Sequence, residues 1–236
     1  MASTVLSLMQ DFCGEQGLPT PPLLVGSAET SIRQYLAIAN MVLRELAEFR
    51  WNEQHLRKTW TSISGQDQGT LLSIFGAGYS GLEHGTLWNQ TRRMRIFGPL
   101  SDQIWQALQV LPNAGPEFQS WITGGHLYIS PSQNGTDTLA GIYITKYCVL
   151  NSAGIAKERI TVDDDTLLFP DLVFLQGVKY RWKKVKGEAG WEDDFNTFIG
   201  SIAKNIVKDG APTLALSSNN RGPRPGITIP AGSWNV

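Results

Sequence analysis

The sequence predicts an α+β fold: a helical bundle formed by N- and C-terminal helices, an inserted antiparallel β-domain, and an extended C-terminal arm. Three observations predict it. Residues 27–51 hold one helical periodicity, the longest in the chain. Residues 57–164 switch to short runs rich in Thr and aromatic residues, broken by glycines, with one short helix among them. Helical spacing then returns, until Pro212, Pro223, Pro225 and Pro230 forbid regular helix in a stretch kept apolar by Leu214, Leu216, Ile227, Ile229 and Trp234. The bundle is therefore assigned to residues 1–56 and 165–208, the β-domain to 57–164 and the arm to 209–236.

In the first helix, Val5, Leu6, Met9 and Phe12 recur at helical spacing, with Ser3 or Thr4 as cap and Gly14 and Gly17 beyond its end. Pro19, Pro21 and Pro22 impose an extended connection. The long helix, Ser27 to Trp51, places Ile32, Tyr35, Leu36, Ala39, Val42, Leu43, Leu46 and Phe49 on one side. Ser27 reads as its N-cap, with Glu29 in the first turn at the positive end of the helix dipole. Pro170 suits the first turn of a helix running to Lys186, with Leu172, Leu175, Val178, Trp182 and Val185 as its apolar face. Trp191, Phe195, Phe198, Ile199, Ile202 and Ile206 mark a last helix ending before Gly210.

Between these, Arg57 to Ser64 reads as a strand, Gly65 to Gly69 as a loop and Leu71 to Phe75 as a short strand. Thr86 to Trp88 and Arg93 to Phe97 form a strand pair, and Pro99 with Ser101 opens a short helix holding Ile104, Trp105 and Leu108. Phe118 to Ser130 is the clearest hairpin, because Gly124 and Gly125 can take the positive φ of a tight turn. Asn134 and Gly135 repeat that signal before a strand from Leu139 to Val149.

At 236 residues and 26.0 kDa, the chain can bury a sizeable core. A net charge of −1 and a pI near 6.3 give the whole molecule no bias toward nucleic acid or anionic lipid, so any such contact must be local. Two cysteines, Cys13 and Cys148, exclude a disulfide framework and read as buried free thiols. No run approaches the roughly 18 to 20 apolar residues that cross a bilayer, and Met1 to Leu8 lacks the pattern of a signal segment, so a soluble, intracellularly made protein without membrane contact is expected.

Chemistry is sparse. His55, His84 and His126 are scattered, with no HxH, HExxH or CxxC spacing, so no metal and no cofactor is expected. Asp163, Asp164 and Asp165 lack the alternation of a calcium loop and read as a solvated acidic turn. There is no GxSxG, no phosphate cradle, and Cys148 sits in an apolar run where a thiolate is costly; no catalytic residue is assigned. Two basic clusters remain. Lys179, Arg181, Lys183, Lys184 and Lys186 crowd a helix end, where they suit the dipole and are candidates for phosphate contact. Arg92, Arg93 and Arg95 lie in the β-region without a pattern of stacking aromatic residues.

Three segments, VGSAETSIRQYLAIANMVLRELAEFRW, TRRMRIFGPLSDQIW and ITVDDDTLLFPDLVFLQGVKYRWKK, occur in this order. In them the chain resembles the head-to-tail adaptor, or connector, proteins of tailed double-stranded DNA bacteriophages, especially short-tailed ones, over roughly residues 20 to 205. The resemblance implies a non-enzymatic ring of identical subunits, typically twelve, at the head-tail junction of the virion and made in the host cytoplasm. Such a ring docks under the portal protein, extends the DNA channel with transient, non-specific contact to passing DNA, and presents a surface to the tail nozzle or next tail component. In that setting the arm, with Arg221, Arg224, Ile227, Ile229 and Trp234, is expected to engage the portal or a neighbouring subunit. The alternative is a carbohydrate- or peptide-binding module using Trp60, Trp88, Trp121 and Tyr128. A third reading, an enzyme, would have to assemble scattered residues such as His84, His126 and Asp164.

Overall fold

A computed structural model describes residues 3–110 and 117–208. Helix α1, Val5–Glu15, begins where the Thr4 hydroxyl accepts the Ser7 amide at 3.2 Å, and it buries Val5, Leu8, Met9, Phe12 and Cys13. Helix α2, Thr30–Ala47, starts later than the sequence suggests. Glu29 holds its cap position without a side-chain bond, and Ser27 instead accepts the Glu29 amide at 3.2 Å, shaping the turn before the helix. Ile32, Tyr35, Ala39, Val42, Leu43 and Leu46 are buried as expected, joined by Ile38, while Leu36 and Phe49 pack at the margin.

Helices α5, Asp171–Lys186, and α6, Trp191–Lys208, close the bundle over α1 and α2. Pro170 is the cap residue and not the first helical one. The buried face of α5 is Val173, Phe174, Gly177, Val178, Tyr180 and Trp182, whereas Leu172 and Val185 are 64% and 52% exposed. The predicted face is therefore rotated. The reason is Gly177, which periodicity counts as blank: a Cβ there would stand 2.5 Å from Val42 Cγ1 and 2.9 Å from Phe198 Cε2, so the helices approach along that line. On α6, Phe198 and Ile202 are buried, Phe195 and Ile206 are partly so, and Ile199 remains 37% exposed. Gly177→Ala gains about 1 kcal/mol of helix propensity but overpacks this contact at a cost of about 1–3 kcal/mol. A lower melting temperature is expected, lower still for Gly177→Leu; unchanged melting of both variants would show that the helices do not meet there.

The central sheet is mixed and curled into a half-barrel. Its strands are β1 His55–Thr61, β2 Ser64–Thr70, β3 Tyr79–Leu82, β4 Trp88–Asn89, β5 Met94–Phe97, β6 Phe118–Thr123, β7 His126–Asn134 and β8 Thr138–Thr145. The order is β1-β8-β4-β5-β6-β7-β2, with β3 also on β8. Strands β1 and β2 lie at opposite ends of that path yet are joined by Ser62 and Ile63 alone, so the sheet must curl. Only the pair β5–β6 is parallel among these strands; the crossover it requires is carried by helix α4, Asp102–Val110, as the Pro99–Ser101 signal suggests. The sheet is thus not purely antiparallel.

Two local expectations fail for one reason. Gly65 to Gly69 is no loop but most of β2, paired with β7 through two register shifts. Leu71–Phe75 is no strand but helix α3, capped where the Thr70 hydroxyl accepts the Ser73 amide at 3.1 Å. Strand β2 takes its conformation from its partner, and α3 buries Leu71, Ile74 and Phe75 against the inner face. The β6–β7 hairpin turns at Gly124 and Gly125, whose φ values are 54° and 75°, as its sequence demands. The strand expected to reach Val149 stops at Thr145; Val149–Leu150 is strand β9, paired with β10 Ala156–Lys157 and β11 Thr166–Leu167.

Two hydrophobic clusters result. One lies in the bundle and takes in Trp51, Cys148, Val149 and Ile160; the other fills the half-barrel. Cys13 and Cys148 are buried and free, and burial pushes the Cys148 thiol up to about 12. No helix among the described residues is long and apolar enough to cross a membrane.

Candidate functional site

Two residues of the acidic turn form a clasp, and only Asp164 is exposed to solvent as expected. The Asp163 carboxylate accepts the Leu24 and Val25 amides at 2.7 to 3.2 Å. The Asp165 side chain, 1% exposed, pairs with Lys157 at 2.6 Å and accepts the Thr161 and Val162 amides, while its carbonyl takes the first amide of α1, from Val5, at 2.8 Å. Among the described residues no three of His, Cys, Asp and Glu gather as metal ligands. His126 Nδ1 is 3.1 Å from Asp67 across β7 and β2, whereas Asp164 is exposed in the acidic turn, so these two are parts of different structures.

The basic residues of α5 are engaged within the bundle. Lys183 and Lys179 reach Asp194 at 2.6 and 3.5 Å. Arg181 pairs with Glu45 at 2.9 Å, and the Tyr180 hydroxyl donates to the same carboxylate oxygen. Burial, then the Glu45 carboxylate, drives the Tyr180 hydroxyl far above its ordinary range, so it stays protonated as that donor. Lys184 Nζ lies 4.8 Å from the Trp191 ring centre, and Lys186 Nζ lies 4.5 Å from that of Trp182 and donates to Gln34 at 3.0 Å. A phosphate at this helix end would compete with partners already in place.

The aromatic residues of the β-region divide by face. Trp60 points inward and meets Phe75 edge-on at 5.3 Å. Trp121 is stacked under Trp105 of α4 at 5.3 Å and donates to Asp102 at 2.8 Å; Tyr128 packs beside it. These rings hold α4 on the sheet. Trp88 differs: it is half-buried beside an open groove of about 280 Å³ whose lining includes Arg57, Thr86, Gln90, Ala140 and Ile142.

Strand pairing makes that groove basic and aromatic. Trp88 is opposite Ala140 on one side and Arg95 on the other, and Arg57 is opposite Ile142. Directly paired residues share a face, as do residues two apart in a strand, so Arg57, Trp88, Arg95 and Phe97 all lie on the outer face. The sequence reading found Arg95 but no stacking aromatic pattern around it; pairing supplies one from β4. Local sequence marks Arg57 only as the start of a strand, since nothing local places it three strands from Arg95.

Arg221, Arg224, Ile227, Ile229 and Trp234 lie outside the described residues. No protein-family model and no curated protein matches the chain.

Proposed function

We propose that this protein is a structural head-to-tail adaptor: a ring of identical subunits, typically twelve, that docks under a phage portal, extends the DNA channel and receives the next tail component. The resemblance of three ordered segments supports the reading. The observation that carries it is the surface left on the C-terminal helix pair after the bundle has packed. Leu172 and Val185 of α5 stay 64% and 52% exposed, and Ile199 and Val207 of α6 stay 37% and 77% exposed. At 100° per residue, Leu172 and Val185 stand about 140° apart around the helix. A closed ring needs two unlike lateral faces, and apolar side chains form the centre of lasting interfaces.

Light scattering of the full chain, alone and with purified portal rings, tests this. A complex with ring stoichiometry is expected, weakened by Leu172→Asp and Val185→Asp. A chain that stays monomeric beside portal rings ends the proposal. Removing residues 210–236 should leave the fold and reduce assembly, in keeping with a role for Arg221, Arg224, Ile227, Ile229 and Trp234 at the portal or a neighbouring subunit. Undiminished assembly would remove the arm from that role.

A further inference from the structure

We infer that the outer face of β1, β8, β4 and β5 binds single-stranded nucleic acid, with Trp88 stacking on a base, Arg57 and Arg95 meeting phosphates, and Arg93, exposed in the turn that joins β4 to β5, meeting a third. This does not rest on the adaptor reading.

The face carries more arginine than carboxylate: Glu83, beside His55 at 3.9 Å and Arg50 at 3.7 Å, pairs with none of its arginines. Among the described residues Arg57 and Arg93 are exposed and have no ion pair, in contrast to Arg92, which is held by Asp137 at 2.7 Å. Arg95 has no carboxylate partner; its guanidinium lies 5.4 Å from the Phe97 ring centre, and its Nε is buried without a hydrogen-bond partner. No acidic side chain lines the groove beside Trp88. An unpaired arginine cluster of this kind draws an anion.

The geometry selects among anions. Neighbouring strands stand about 4.8 Å apart and residues about 3.3 Å along each strand, so Arg57 on β1 and Arg95 on β5, three strand steps and two residues away, are separated by about 16 Å. A few nucleotides of an extended strand cover that span. Trp88 lies on a strand between them, beside a floor of Ala140 and Ile142 low enough to admit a flat ring. Phe97, 42% exposed, offers a second ring one pleat along from Arg95. Basic residues interleaved with aromatic ones suit single strands, whose bases have free faces. A duplex offers such a surface only its phosphates, and an acidic glycan would want hydroxyl-binding carboxylates, which the groove lacks.

The test is fluorescence anisotropy of the full chain with a labelled oligothymidylate across a salt series. Binding is expected at low salt, with a slope of log K against log salt of about −2, from roughly 0.7 per phosphate neutralised. Trp88→Ala should weaken binding by roughly 5- to 150-fold, the range seen for one stacked base. Trp88→Phe, which keeps a ring in the same place, should stay within a few-fold of the parent and so separates stacking from misfolding. Arg57→Glu, at an exposed site, should lower affinity and shallow the slope without changing the melting temperature. No binding at low salt, equal affinity for a duplex of the same length, or tighter competition by hyaluronate than by unlabelled oligonucleotide would each overturn the inference.

Discussion

Trp51→Ala is expected to destabilise the protein by about 3–5 kcal/mol, the cost of truncating a fully buried tryptophan. Trp51 is 1% exposed and packs on Phe169 at 5.3 Å. Its indole donates to the Leu46 carbonyl at 2.8 Å, a second bond to an oxygen that also accepts the Phe49 amide at 3.1 Å in the closing turn of α2. Two further contacts follow along the chain: Gln54 donates to the Thr145 carbonyl at 3.1 Å, and His55, the first residue of β1, pairs with Ile144 of β8. Trp51 therefore ends the long helix and aims the chain into the sheet. Trp51→Phe retains most of the burial and should lose mainly the hydrogen bond, about 1 kcal/mol. Urea denaturation of both variants checks the split; equal and small losses would show that this corner is not where the bundle and the sheet are coupled.

Asp165→Ala is expected to cost about 3–5 kcal/mol at neutral pH, because it strips a buried ion pair of one partner. Lys157, partly exposed at 22%, can recover some hydration, which places the loss toward the lower end. The Thr161 and Val162 amides lose their acceptor as well, and the loop whose Asp165 carbonyl accepts the first amide of α1 loosens with them. The same residue shapes the acid limb of stability. Burial alone would raise its carboxyl, but the Lys157 ammonium and the two amides outweigh that and hold it below the usual carboxylate range. A carboxyl lowered on folding adds stability that is fully present above its unfolded value, about pH 4, and is lost as pH falls through the lowered folded value. The gap between parent and Asp165→Ala should therefore be widest at neutral pH and shrink below about pH 4. Asp137, held low against its own burial by Asn89 and Arg92, adds a second acid-labile contact in the sheet and should leave part of the acid limb in the variant. A gap that does not change between pH 7 and pH 3 would sink this account.

The two predictions act at the seams between elements, and those seams were the least legible part of the sequence. The helices were legible because periodicity records which side chains a helix can bury: α1 and α2 bury nearly the residues their spacing named. The β6–β7 hairpin was legible because two adjacent glycines admit few other conformations. The adaptor role proposed above was legible only as a resemblance, since the sequence offers no reactive constellation to recognise.

Tertiary structure decided the rest. Gly177 turned α5 so that Leu172 and Val185 face outward, because a close helix contact is made by the absence of a side chain, which periodicity does not register. Ser64–Thr70 became a strand and Leu71–Phe75 a helix, because a partner strand and a cavity to fill override weak local preference. The outer face that joins Arg57 to Trp88 and Arg95 arises from pairing between strands distant in sequence. Local spacing by itself determined the longer helices, the buried sides of α1 and α2 and the apolar runs; only long-range pairing and close contact decided the fates of Ser64–Phe75, the buried side of α5 and which strand residues share an outer face.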